Sequence, residues 1–486
     1  MQNSTDEKKE APISALAANG AQPRLQKFGS VEHREAGNRA FKSCIEQPEF
    51  KEIKAMLRDL FLYEPVGGAL TLYAPSGQNF LRLSAGEWVA LGGDFYGVPD
   101  QPIALEVRHD ETTGLQLRPI EDLEERKPRF EAAYQTLAGI AELTGQAYHE
   151  AKATQHKLLQ GIEREREIVE TAQKRGDSVK EALIVHASEL DKYYGLATMV
   201  NNDIWRHLPF GYVRSAYVAL AQYNFDHFGK EAERAYEAGH AVALATAAAA
   251  HGIEDKESRA RLLVRALTQE LFACHFLTDL FAAGHMRTPR KALVEHVHQR
   301  MGHSFVDDNT TKMGVAAGLL AQAMHDEDNH EGLEVSSEQH PDPWPAYGDH
   351  CYYEQASDAN NTQMEAAVVA ALGSVMTTFK GEETSYDFTT YIPVPTANNR
   401  LPLFLVEASA EVVKKRLKTP KTDKNGVEQT HDDQWSPTFF LAKKNGDEFV
   451  QKKWEDIKAV REEIEATATE VVEKTTTYLK GNCSVM

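Results

Sequence analysis

Three residues in one apolar stretch are the first candidates for chemistry: His275, Asp279 and His285, within Leu271-Phe-Ala-Cys-His-Phe-Leu-Thr-Asp-Leu-Phe-Ala-Ala-Gly-His285. A helix through Arg261 to Phe281 sets His275 and Asp279 one turn apart on one face, so their side chains converge. Gly284 is placed to end that helix and Pro289 to help open the next, which leaves His285 in the connecting bend near the same point. A buried imidazole and carboxylate cost several kcal/mol unless a cation or hydrogen bonds satisfy them. Imidazole nitrogen and carboxylate oxygen suit zinc, whose tetrahedral shell takes mixed N and O donors. The competing reading is a metal-free core in which His275 and Asp279 hydrogen-bond across a helix and His285 caps a helix end. Cys274 points about 100° away from His275 on a helix and reads as packing.

The elements that must position these groups read as mainly α. Residues 1–27 form a polar leader with the composition of a disordered segment. Glu35 to Leu62 is helical in pattern, and Ala69–Tyr73 with Phe80–Leu83 reads as a small β-hairpin leading to Trp88 and Asp94. Helices are expected over Arg129 to Arg175, Val179 to Leu196, Tyr212 to His227, Lys230 to His251 and Lys256 to Phe281. This pattern suits a bundle whose facing helices send ligands inward. Gly332 to His350 reads as a Pro- and Asp-rich loop and Ala359 to Phe379 as a helix. Glu382 to Val406 and Val427 to Leu441 lean to β, and Trp454 to Leu479 is helical. The organisation is therefore a leader (1–27), a catalytic domain (28–380) and a mixed α/β C-terminal extension (381–486).

The 486-residue chain is long enough for one large core, and its formal charge of −20 repels a phosphate backbone, so nucleic acid is not the expected partner. The leader has no apolar run of the signal-peptide kind, and no stretch reaches the roughly 18 to 20 apolar residues of a membrane span. The four cysteines, Cys44, Cys274, Cys351 and Cys483, lack pair spacing and do not indicate a disulfide framework. A soluble, cytoplasmic protein is expected.

The spacing of His275, Asp279 and His285 resembles the H-x3-D-x5-H core motif of the zinc-dependent phospholipase C/P1 nuclease superfamily. The longer string His275-Phe-Leu-Thr-Asp-Leu-Phe-Ala-Ala-Gly-His-Met-Arg-Thr-Pro-Arg290 is similar to the bacterial branch typified by the Legionella and Pseudomonas zinc metallophospholipases C. Val31-Glu-His33, Gly93-Asp94-Phe-Tyr-Gly97, Asn224-Phe-Asp-His227-Phe and Met324-His325-Asp-Glu-Asp-Asn329 agree in order, so the resemblance covers about residues 28 to 375.

The resemblance implies a helical phospholipase C/P1 nuclease-like domain holding two or three zinc ions. His227, His275 and Asp279 would hold one ion, Asp279 would bridge to a second also bound by His33, and His285 would start a third site. A carboxylate between closely spaced dications screens their repulsion. Asp94 would be both a metal ligand and the general base set against the nucleophilic water. Read without the family, Asp94 merely shapes a Gly-flanked turn. The remaining third-site ligand is assigned to His325, with Asp328 or Glu327 nearby, over His303 with Asp307. His240 and His251 are assigned to helix faces, and His296, His298, His330 and His340 to the surface. In the family the amino group and carbonyl of the mature chain's first residue also bind one zinc, whereas Met1 here lies 32 residues before His33, so without proteolytic trimming that site uses another ligand, with Glu32 the candidate, or holds its metal weakly.

The implied reaction is hydrolysis of a glycerophospholipid such as phosphatidylcholine to diacylglycerol and a phosphorylated head group. The partner is then a phospholipid membrane surface. Choline recognition calls for an aromatic cage, for which Trp88, Phe95, Tyr96 and Tyr223 are candidates, with core packing as the alternative use of the same rings. Two other functions fit the same residues: a P1-like single-strand nuclease or nucleotidase, and a non-catalytic lipidated membrane adaptor. The chain ends Gly481-Asn-Cys483-Ser-Val-Met486, a C-a-a-X box of the farnesyl type with Cys483 as the lipidation site. Lys474 and Lys480 give it a thin basic flank, and one prenyl chain anchors only marginally. Prenylation needs a eukaryotic cytosol and its prenyltransferase, which implies either a eukaryotic protein or one delivered into a eukaryotic host cell and tethered there to a membrane.

Overall fold

The computed structural model describes residues 29–399, with breaks at 66–67, 77–78, 100, 111–113, most of 178–222, 293, most of 296–331, 349–350 and 397, together with 421–422 and 428–429. Within these residues the protein is mainly helical with a few small sheets. The leader, His303, Asp307, Glu327, His296, His298, His330, the helix expected at Trp454 to Leu479 and Cys483 lie outside the described residues. No helix of the described residues is long and apolar enough to cross a membrane.

Helix α1 (Ser30–Ile45) buries Val31, His33, Ala36, Gly37, Ala40, Phe41 and Cys44, the stripe that one face of a 3.6-residue helix presents. The helix expected at Glu35 to Leu62 is in fact two. Pro48, which lacks an N–H, opens a 3-10 turn, and α2 (Lys51–Leu60) starts afresh. Strands β1 (Leu62–Tyr63), β2 (Thr71–Ser76) and β3 (Asn79–Ser84) form an antiparallel sheet that includes the expected hairpin. Leu72, Ala74, Leu81 and Leu83 face the core, as the period-two pattern requires. Helix α3 (Ala85–Leu91) follows at once through a reciprocal cap. Ser84 Oγ accepts from Glu87 N at 3.2 Å, and Glu87 Oε2 accepts from Ser84 N at 2.7 Å.

A second hairpin, β4 (Leu105–Asp110) with β5 (Gly114–Pro119), was not expected from the sequence. The helix expected at Arg129 to Arg175 is also two, α4 (Leu123–Ala138) and α5 (Gly145–Arg175). A 3-10 turn at Gly139–Glu142 and extended Leu143 and Thr144 separate them, with Gly139 and Gly145 marking the break. The core centres on α6 (Gly229–Ala250) against α7 (Lys256–Asp279), with α4 and α9 (Asp358–Phe379) packed around them. The buried face of α6 is mostly alanine, which lets α7 come close. At Gly239 an added Cβ would lie 2.4 Å from the Phe130 ring and 2.5 Å from Ala273 Cβ. From Ala266 to Asp279 every residue of α7 is buried, polar ones included.

Helix α7 ends at Asp279, two residues earlier than expected, and the chain tightens through i to i+3 bonds from Leu280, Phe281 and Ala282. Gly284 does not stop it. Gly284 lies inside the short helix α8 (Ala283–Arg287), and His285 is on that helix, not in a bend. The glycine is there because an added Cβ would sit 2.4 Å from the His325 carbonyl oxygen. The segment read as a loop at Gly332 to His350 contains β6 (Leu333–Ser336) and β7 (Trp344–Ala346), and β8 (Val394–Pro395) completes their sheet in the order β7-β6-β8. Leu333 and Val335 alternate with Glu334 and Ser336, a run too short to stand out among Pro and Asp. A two-residue ribbon, β9 (Lys421–Thr422) with β10 (Glu428–Gln429), is the described part of the extension beyond 399.

Candidate metal centre

Three regions remote in sequence, supplying four segments, meet at the C-terminal end of α7. His33 comes from the first turn of α1, His227 from the 3-10 turn Asn224–His227, His275 and Asp279 from α7, and His285 from α8. All five are buried. Asp279 is the hub. Its Oδ1 lies 3.6 Å from His33 Nε2 and 3.4 Å from His285 Nδ1, and its Oδ2 lies 2.7 Å from His227 Nδ1 and 3.6 Å from His275 Nε2. His275 Nε2 and His227 Nδ1 are 3.3 Å apart. Donor atoms of His33, His275 and Asp279 fall within 4.8 Å of one another, as do those of Asp94, His227 and His275. Asp94 is the most open member of these groups, on the only partly exposed position.

The donor set passes a geometric test for a metal. A tetrahedral shell with bonds of about 2.0–2.1 Å spaces its ligand atoms about 3.3 Å apart; His275 Nε2 and His227 Nδ1 match this at 3.3 Å and Asp279 lies 3.6 Å from His33 Nε2 and His275 Nε2, while the 2.7 Å contact of His227 Nδ1 with Asp279 Oδ2 is a hydrogen bond. The tautomers fit as well. Thr278 Oγ1 donates to the carbonyl of Cys274 or His275 (2.8 and 2.9 Å) and so accepts from His33 Nδ1–H at 2.8 Å. The Val89 carbonyl takes the Nδ1–H of His275 at 3.0 Å, and the His227 carbonyl takes that of His285 at 2.8 Å. In each neutral ring Nε2 is thereby left as a lone pair, the arrangement that outer partners impose on metal-binding histidines. Burial pushes the His275 imidazole below its ordinary range against the pull of Asp279. It pushes His285 down to about 3 and His325 down to about 4. Neutral imidazoles are the form a metal binds.

Local sequence explains the placement. Gly93 has φ +63°, and an added Cβ would lie 2.2 Å from the His275 ring, so only glycine lets the Asp94 turn pass so close. Asp226 braces the turn that carries His227, accepting from Ile103 N at 2.6 Å and Ala104 N at 2.9 Å. Burial raises the Asp226 carboxyl to about 6 despite those bonds.

His325 is buried with its ring 4.9 Å from that of His285, and Phe228 stacks on His285 at 4.7 Å. Asp328 is not beside His325 as a spare ligand. It is held by Arg287 Nε and Nη2 at 2.7 and 2.6 Å, while Asn329 Nδ2 lies 3.2 Å from His325 Nε2. Glu32 is likewise engaged in structure, its two oxygens accepting from Gly29 N at 2.9 Å and Tyr352 N at 3.0 Å, which makes it a brace of its own helix start. Of the aromatic candidates, Trp88 is fully buried and stacks on Tyr134, and Phe95 and Tyr96 are buried. His240 is no plain helix face: it pairs with the buried Glu270 at 2.8 Å, and Tyr236 donates to the other Glu270 oxygen at 2.9 Å.

Thr278, Val89, Asp226 and Arg287 escaped sequence reasoning. Of these only Thr278 carries a sequence signal, a hydroxyl beside the motif aspartate. Thr278→Val should keep the helix and lose the oxygen that fixes the His33 tautomer, weakening metal affinity by about tenfold to a hundredfold. Competition of the variant with a zinc chelator measures this, and Thr278→Ser should restore most of the affinity.

Together these features define a mainly helical protein with a buried His/Asp cluster able to hold a metal ion. Compared with protein-family models, curated proteins and solved structures, the chain matches none.

Proposed function

We propose that the protein is a zinc-dependent phosphodiesterase of the phospholipase C kind, hydrolysing a glycerophospholipid such as phosphatidylcholine to diacylglycerol and a phosphorylated head group. The observation that carries this reading is Asp279, whose two carboxylate oxygens each face two histidines drawn from different segments. A carboxylate divided in that way suits a bridge between two closely spaced dications. His33, His227, His275, Asp279 and Asp94 would hold the zinc pair, and His285 with His325 would belong to a third position.

When bound, zinc would supply Lewis acidity at the phosphoryl oxygens. The protein's own groups do the rest. Asp94, the most open carboxylate of the cluster, is the base that takes a proton from the attacking water. The Nδ1–H bonds of His33, His275 and His285 hold the rings so that no reorientation is needed. The apolar packing of α7 keeps bulk water from the inner side of the site. A phospholipid membrane surface is the partner in the same reading.

Incubation of full-length protein with phosphatidylcholine vesicles, and separately with single-stranded DNA, tests this. Release of diacylglycerol that stops with chelator and returns with zinc is expected, with no DNA cleavage. Zinc-dependent DNA cleavage alone would make the site a nuclease. Asp94→Asn should lower lipid turnover at least about a hundredfold, the lower range for a general base, while leaving the protein folded.

A further inference from the structure

Two arginines close the string that begins at His275, and the fold uses them differently. Arg287 is buried and locked onto both oxygens of Asp328. Arg290 is half-buried and has no carboxylate partner among the described residues. Its Nε donates to Asn224 Oδ1 at 3.2 Å, its guanidinium lies 5.8 Å from the centre of the Phe225 ring, and its terminal nitrogens have no acceptor among those residues. Burial lowers its pKa from 12.5 to about 10, because part of its hydration is lost. Among the described residues no carboxylate meets this guanidinium, which leaves its terminal donors open to an anion from solution.

Its neighbours tie it to the metal centre. Asn224 and Phe225 begin the 3-10 turn that ends in His227, a span of about 6 Å at the usual rise. His285, on the same segment as Arg290, grips the far end of that turn through the His227 carbonyl at 2.8 Å. Residues 285 to 290 therefore wrap the turn and bring a planar fork of donors up to the element that presents His227. That fork matches two oxygens of a phosphoryl group, and arginine does not give up its proton, so its part is binding and not proton transfer.

We infer that Arg290 is a substrate-binding residue, an anion anchor for the phosphate of an ester held at the metal centre. This rests on the phosphodiesterase reading for the identity of the ester. The test is calorimetric titration of the full-length protein with inorganic phosphate after its zinc has been counted. Arg290→Gln is expected to bind phosphate at least about tenfold more weakly with its zinc content unchanged. Arg290→Lys should fall between the two, and Asn224→Ala, which removes only the protein partner, should bind like the wild type. Wild-type affinity in Arg290→Gln overturns the inference, as does a loss in Asn224→Ala equal to that in Arg290→Gln, since Arg290 would then only hold the turn. If Arg290→Gln does not fold, Arg290→Lys against Asn224→Ala decides by the same ordering. A wild type without zinc would defeat the phosphodiesterase reading, while the difference between wild type and Arg290→Gln would still decide the role of Arg290.

Discussion

Asp279→Ala is expected to empty the metal centre and lower lipid turnover at least about a thousandfold, because a metal's contribution of several kcal/mol converts to that factor. The reason is geometric. Asp279 touches all four histidines, and without its charge the remaining cluster offers neutral imidazoles and Asp94 to a pair of dications. Asp279→Asn keeps the shape and separates charge from packing. Both variants should lose bound zinc by elemental analysis, with the helical content of the wild type by circular dichroism. A full zinc complement in Asp279→Asn would remove Asp279 from the centre of the account.

The second large effect concerns acid. His285, held neutral by burial, has its pKa pushed down to about 3 in the folded chain, against an unfolded value of about 6.5. Between these values the unfolded chain binds the extra proton, so stability falls as pH falls below about 6.5 and is unaffected above it. In metal-free protein this group alone should remove about 2 kcal/mol between about pH 7.5 and pH 5. Asp226, raised to about 6 by burial, works in the opposite direction over part of that window, so the wild-type profile by itself is a mixture. The difference between wild type and His285→Gln isolates the histidine. Denaturant unfolding of both chelated proteins at the two pH values should show the wild type losing more stability than the variant by about that amount. Equal losses would mean that His285 is not held neutral in the fold. Zinc should shift the wild-type transition to lower pH, because the proton must displace the metal.

How far the sequence could be read follows from the range of each signal. His275 and Asp279 are one helical turn apart on α7, so their convergence is local and periodicity exposes it. His285 follows six residues later, so its approach was also legible from the local chain, whereas the approach of His33 and His227 to Asp279 is not local, and only the likeness of several ordered segments to one family pointed to it. Where a competing partner lies elsewhere in the chain, adjacency misleads. Asp328 is close to His325 in sequence, yet Arg287 occupies it, and Glu32 adjoins His33 but braces its own helix start and Tyr352. The same limit applies to the fold. Apolar periodicity located α6, α7 and α9, but the breaks between α1 and α2 at Pro48 and between α4 and α5 at Gly139 and Gly145 are isolated punctuators between helix-forming stretches. Strands as short as β6 and β7 carry too few residues for alternation to be visible.

The most direct measurement is anomalous diffraction at the zinc edge from crystals of the full-length protein grown with zinc. The account predicts two strong peaks among His33, Asp94, His227, His275 and Asp279, with any third peak between His285 and His325. Zinc found only elsewhere, or direct bonds between Asp279 and the histidines in the presence of excess zinc, would contradict it.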